Sequence, residues 1–142
     1  MSLVNFFASM LDKTDSNGQP VFRALQEQND MNNFIEQCLL NSKRNICIFT
    51  DNVHAFHGML SQETDKIDVD WNKTELLNGS QLIIEPYVGG CLRGCCADML
   101  FLDKDGNPSM TWVMQILVPL FGVNHTRIFL FDRVSQKFQE FV

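Results

Sequence analysis

Apolar and polar positions along this chain follow two different periods, and the change falls near Arg44. Before it, Leu3, Phe6, Phe7, Met10 and Leu11 recur at the spacing of one helix face, with Ser2 placed to cap the first turn. Asp12 to Gln19, centred on Ser16-Asn17-Gly18, reads as a turn. Pro20 suits the opening of a second helix, marked by Phe22 and Leu25 and then by Met31, Phe34, Ile35, Cys38 and Leu39. The polar run Gln26 to Asp30 divides these marks, so the stretch reads as one helix or as two, the later one capped by Asn29 or Asp30. Lys43 and Arg44 follow where cations complement a helix's carbonyl end.

Beyond Arg44 the pattern is that of strands. Ile46-Cys47-Ile48-Phe49 is a buried-strand candidate ending at the turn pair Asp51-Asn52, and Val53 to Leu60 reads as its return. Ser61 to Lys66 is a polar loop. Ile67, Val69 and Trp71 then alternate with Asp68, Asp70 and Asn72, as in a half-buried strand. Asn78-Gly79 is a strong hairpin turn between Leu76-Leu77 and Leu82-Ile83-Ile84, and Pro86 marks a strand end or an edge. Asp103 to Pro108 reads as a hairpin loop between Met99–Leu102 and Met110–Val118. Arg133 to Gln136 reads as another, between His125–Phe131 and Lys137–Val142. The pattern predicts an α+β fold, with two or three N-terminal helices followed by a mostly antiparallel sheet of five to seven strands, in a single domain over residues 1–142.

Composition narrows the classes of partner. The formal charge is −6, from 17 acidic and 11 basic side chains, and no basic run supplies the footprint of a phosphate-backbone binder. Nucleic acid is therefore not expected as a partner. Ser2 to Leu11 lacks the basic flank of a signal peptide, and no run approaches the roughly 20 apolar residues that cross a bilayer. Five cysteines, an odd number, suit a reducing compartment better than a closed disulfide framework. Sequons at Asn72, Asn78 and Asn124 have no physical consequence without secretion. The expectation is a soluble, cytoplasmic protein without a membrane partner.

Chemistry could be concentrated between Gln81 and Asp103, where Cys91, Cys95 and Cys96 crowd beside Gly89, Gly90 and Gly94. A nucleophilic thiolate needs an electropositive niche or a base. Arg93 could supply the first and His125 the second, with Asp132 to orient the imidazole. This set defines an alternative reading as a cysteine-dependent hydrolase or transferase, against the plainer one in which the thiols are small apolar fillers of a turn. His54 and His57 with Cys91 and Cys95 offer zinc-ligand types, but on a strand the odd offset points the two imidazoles to opposite faces. No metal or cofactor is expected. Asp103-Lys104-Asp105-Gly106-Asn107 fails as a calcium loop, since Pro108 stands at the glycine position and Met114 at that of the closing glutamate.

Leu77 to Gly90 is similar to the last strand and Gly-Gly tail of ubiquitin-like sulfur carriers such as the molybdopterin-synthase small subunit. Those proteins activate a free C-terminal glycine, whereas here 52 residues follow Gly90, and the helix of a β-grasp fold is not evident. Neither fold nor function is carried over, and the glycine pair reads as a site of positive φ or close backbone approach.

Glu63, Asp65, Asp68 and Asp70 gather before Trp71. An acidic face around an aromatic anchor suits a basic protein partner. The C-terminal strand, Phe138 to Val142, offers an edge for such a partner or for a second copy in a homodimer. With no Walker, Rossmann, nucleophile-elbow or HExxH signature present, the expected function is that of a small acidic protein–protein interaction module. Trp71, Asp68 and Asp70 are its expected binding residues.

Overall fold

The computed structural model of the chain describes residues 2–61, 64–69, 72–87, 97–120 and 126–142. Helix α1 (Leu3–Leu11) begins where Ser2 Oγ accepts a hydrogen bond from the Asn5 amide, and it buries Leu3 and Phe7. Helix α2 (Met31–Asn41) begins at Asp30, whose carboxylate accepts from the Asn33 amide, and it buries Met31, Ile35 and Leu39 along one stripe. The strands are β1 (Asn45–Phe49), β2 (Lys66–Val69), β3 (Lys73–Leu76), β4 (Gln81–Glu85), β5 (Met99–Asp103), β6 (Arg127–Phe131) and β7 (Phe138–Phe141). Between β5 and β6 runs a helical stretch: α3 (Met110–Trp112), a π turn (Val113–Leu117) and α4 (Val118–Leu120).

These strands form one seven-stranded sheet in the order β2-β3-β4-β1-β5-β6-β7. The centre, β4-β1-β5-β6, is parallel, and the flanks β2-β3-β4 and β6-β7 are antiparallel. Helical layers cover both faces. Ile46, Ile48, Met99, Phe101, Phe129 and Phe131 pack with α2, while Cys47, Phe49, Leu100, Leu102 and Ile128 pack with α1 and the α3–α4 stretch. Phe101 and Phe129 are register partners whose rings stack with centroids 4.4 Å apart. Phe34 of α2 and Phe138 of β7 close around them. The fold is thus α+β as the sequence predicts, with a sheet that is mixed rather than mostly antiparallel.

Several local expectations are corrected. No helix starts at Pro20, so the N-terminal helices number two. Residues 53–56 form a short 3-10 turn with Val53 and Phe56 buried, not a strand returning along β1. The loop after Asp103 leads into a helix rather than a hairpin, because Ser109 Oγ accepts from the Trp112 amide and caps the turn. A short apolar run such as 112–118 carries no period that separates strand from helix. The Asn78-Gly79 and Arg133–Gln136 hairpins stand as expected.

The C-terminal edge differs most from expectation. Residues 23–28 run antiparallel to β7 as an irregular strap: the amides of Arg23, Leu25 and Gln28 donate to the carbonyls of Val142, Glu140 and Phe138, each at 2.8 Å. Phe22 is buried in a stack with Phe7 and Phe141, which ties the strap to α1. Pairing with a sheet edge satisfies these amides as well as a helix would, and it lets Phe22 reach the core. Inside the edge, Arg127 grips the buried Glu140 through two bonds of 2.8 and 2.9 Å and lies over the Phe129 ring. The edge that the sequence offers to a partner is therefore occupied by the chain itself.

Leu25→Pro removes one strap donor without altering the core. The expected outcome is a loss of about 1–3 kcal/mol in chemical denaturation, with concentration-dependent self-association through the released β7 edge. A variant that stays monomeric at unchanged stability would show that the strap does not guard this edge.

Candidate functional site at the ends of the parallel strands

Within the parallel centre, the chain passes from β1 to β4 on one side and from β5 to β6 on the other. The connections diverge between β1 and β5. In open sheets of this kind a crevice forms outside the carboxyl ends of the two strands, and ligands bind there. The residues delivered to this point are Thr50, Asp51 and Asn52 after β1, Asp103 to Pro108 after β5, and Tyr87 after β4.

Asp103 is the anchor of the edge. It is 4 % exposed, and its Oδ2 accepts from the hydroxyl of the fully buried Thr50 at 2.7 Å. Its Oδ1 accepts from the Asp105 amide, and its carbonyl accepts from the Tyr87 phenol at 2.8 Å and from the Gly106 amide. Asn52 N–H donates back to Thr50 Oγ1, and Asn107 N–H reaches Asp51 Oδ2 at 3.4 Å. These bonds cross between the β1 and β5 loops and fix their relative position. The Asp103 carboxylate is consumed in holding the loops, while those of Asp51 and Asp105 stand exposed.

An aromatic floor lies beneath. The Tyr87 ring faces Phe49, and Trp112 meets both edge-on with centroids 5.0 Å away. Gly106 is required by this packing: a Cβ there would fall 2.0 Å from Tyr87 Cε2. The indole nitrogen of Trp112 is buried without a hydrogen-bond partner among the described residues. On the outer side of the stretch that follows, Met110 and Met114 are more than half exposed.

The residues expected from the sequence are distributed differently. Cys91, Cys95, Cys96, His125, Trp71 and Asp70 lie outside the described residues, as do Gly89 and Gly90. Asp68 belongs to β2, opposite Glu75. Asp132 begins the β6–β7 turn, where it accepts from the Val134 amide and pairs with Lys104 at 3.1 Å. The Lys104 hydrogen bond holds its carboxyl below the usual range. His54 and His57 do not point apart, because the 3-10 turn brings their rings to 5.1 Å. Among the described residues, no three His, Cys, Asp or Glu side chains are placed to hold a metal ion. Burial pushes the Cys38 thiol up, away from thiolate chemistry. Asn78 and Ser80 of one sequon are structural: Asn78 Nδ2 and Ser80 Oγ both donate to the Leu39 carbonyl at the end of α2. Among the described residues, no helix is long and apolar enough to cross a membrane.

Sequence reasoning passed over Thr50, Asp51, Asp103 and Asp105 as functional residues. A signal for them exists in the continuous apolar runs Ile46–Phe49 and Met99–Leu102, each closed by an aspartate shortly after. Strands buried on both faces read this way, and their carboxyl ends are where sites assemble. No family model, curated protein or solved structure matches the chain.

Tyr87 is the only tyrosine of the chain, so its phenol can be followed alone. Burial raises its pKa far above the usual value of about 10, and the negative charges of Asp103 and Asp51 add to the effect. A raised folded pKa contributes stability that is complete below about pH 10 and lost as pH rises further. Phenolate absorbance is therefore expected to appear only together with alkaline unfolding, and Tyr87→Phe is expected to flatten the alkaline fall in stability. A smooth phenol titration near pH 10 in the folded protein would contradict this burial. Gly106→Ala is expected to cost about 1–3 kcal/mol in chemical denaturation by overpacking against the ring. An unchanged midpoint would show that Tyr87 can move aside freely.

Proposed function

We propose that the protein is a binding module for a basic, partly apolar segment of another protein, which it takes at the crevice between the ends of β1 and β5. The observation that carries this reading is one of placement: the exposed carboxylates of Asp51 and Asp105 stand on the loops that follow the neighbouring strands β1 and β5, and the exposed Met110 and Met114 lie on the helical stretch that continues from the second loop. Carboxylates at a rim steer and select a cationic partner, and methionines offer adaptable apolar contact area. The net charge of −6 favours approach of a basic chain. The crosslinked loops around Asp103 keep the carboxylates in place before a partner arrives, which lowers the ordering cost of binding. The acidic residues before Trp71 keep their proposed part as a further attraction for the same kind of partner.

The test uses a fluorescent amphipathic peptide of lysines and leucines, with binding read by anisotropy. Saturable, salt-sensitive binding is expected. It should weaken about tenfold, or ~1.4 kcal/mol, in Asp51→Asn/Asp105→Asn and similarly in Met110→Ala/Met114→Ala, with Glu27→Gln as an unaffected control. Equal binding by all variants would remove the crevice from the reading. Displacement of the peptide by magnesium at constant ionic strength would instead assign the carboxylates to a divalent cation. Alkylation of the intact protein addresses the cysteine-dependent alternative, which requires one fast-reacting thiol among Cys91, Cys95 and Cys96.

A further inference from the structure

The turn that follows β1 carries two of the three histidines of the chain, and the reading of the crevice makes no use of them. Val53–Phe56 form a 3-10 turn, and in such a turn side chains three positions apart eclipse one another. Val53 and Phe56 take the inward side and are buried, with Phe56 edge-on to Phe131 of β6 at a centroid distance of 5.6 Å. His54 and His57 are both exposed.

The turn is held along its length. Ala55 N–H donates to the Asn52 carbonyl at 3.1 Å, His57 N–H to that of His54 at 3.3 Å, and Met59 N–H to that of Phe56 at 3.2 Å. Asn52 N–H in turn donates to Thr50 Oγ1 at the end of β1. Two buried side chains and these bonds fix the backbone that carries both imidazoles, so little ordering is left to a ligand that joins them. Gly58 follows at φ 72°, and a Cβ there would meet nothing within 4 Å. The space beside His57 is open.

The two rings stand with centroids 5.1 Å apart and planes 80° from parallel. Imidazoles that share one tetrahedral ion, each nitrogen about 2.0–2.1 Å from it, have their centroids about 5 Å apart. The observed separation matches that value. We propose that His54 and His57 form a two-imidazole site for a zinc ion, with water in the remaining positions. A square-planar ion would draw the rings closer, so the tetrahedral preference of zinc suits the pair better. Magnesium and calcium take oxygen donors and are not expected here. On binding, each imidazole gives a ring-nitrogen lone pair to the ion and displaces one of its waters. Among the described residues no third His, Cys, Asp or Glu joins the pair, which leaves positions on the ion open to water or to a donor from a bound molecule.

The probe is zinc chloride, titrated into the full chain and followed by proton NMR of the imidazole signals. Three histidines keep these signals few enough to assign by substitution. The signals of His54 and His57 are expected to move together along one saturation curve, and not with magnesium. His54→Ala and His57→Ala are each expected to weaken zinc binding at the remaining imidazole about tenfold or more, with circular dichroism unchanged. The proposal is overturned if neither ring responds, if only one responds, if magnesium gives the same shifts, or if either single variant keeps full affinity at the remaining ring. Zinc held elsewhere, by the thiols of Cys91, Cys95 and Cys96, moves neither signal and so counts against it. The wild-type shifts decide the question even where a variant does not fold. Failure here leaves the crevice reading untouched, because peptide binding there rests on neither histidine.

Discussion

Strand β5 is buried at every position and paired with a parallel neighbour on each side, and the rest of the molecule is arranged to keep it so. Parallel strands in the middle of a sheet expose two apolar faces, and each face needs its own helical layer. Met99 and Phe101 hold α2 on one side, while Leu100 and Leu102 hold α1 and the α3–α4 stretch on the other. The stacked pair Phe101 and Phe129 lies at the heart of the first face, between Phe34 and Phe138. Replacing an aromatic ring in such a cluster by alanine costs about 3–5 kcal/mol, a large part of a typical domain's stability.

Closure of the sheet follows a different logic at its two ends. At β7 the N-terminal strap supplies the missing partner strand, and Phe22 anchors it in the same aromatic group as α1. At the other end β2 is the last strand among the described residues, short and irregular, with a register shift between Lys66 and Asp68. Irregular, charged edges resist indiscriminate pairing. This asymmetry places the strap over one edge alone among the described residues.

The proposed crevice has its origin in the topology. Where the connections diverge between β1 and β5, the strands end in loops that can carry polar residues at little cost to the core. Asp103 turns that freedom into rigidity, because its buried carboxylate and carbonyl collect hydrogen bonds from both sides of the gap.

Much of this could be read without coordinates. Ser2 as a cap, a second cap at Asn29 or Asp30, the helix stripes of α1 and α2, and the hairpin turns at Asn78-Gly79 and Arg133–Gln136 are local features, fixed by side chains within a few residues of the backbone they serve. So are the apolar runs of β1, β5 and β6. What the sequence could not decide was how those runs pair. A run such as Met99–Leu102 has the same composition whether its neighbours are parallel or antiparallel, and the run after Ser109 serves equally as helix or strand until the β5–β6 crossover demands a helix. The strap at residues 23–28 was invisible because its partner strand lies more than a hundred residues away. The crevice was hidden for the same reason: Thr50 and Asp103 are 53 positions apart and meet only because β1 and β5 are neighbours. Local hydrogen bonding and periodicity belonged to the sequence alone; strand order, and with it every contact that joins distant segments into a site, belonged to the tertiary structure, since only the burial of both faces of the sheet selects one pairing among many.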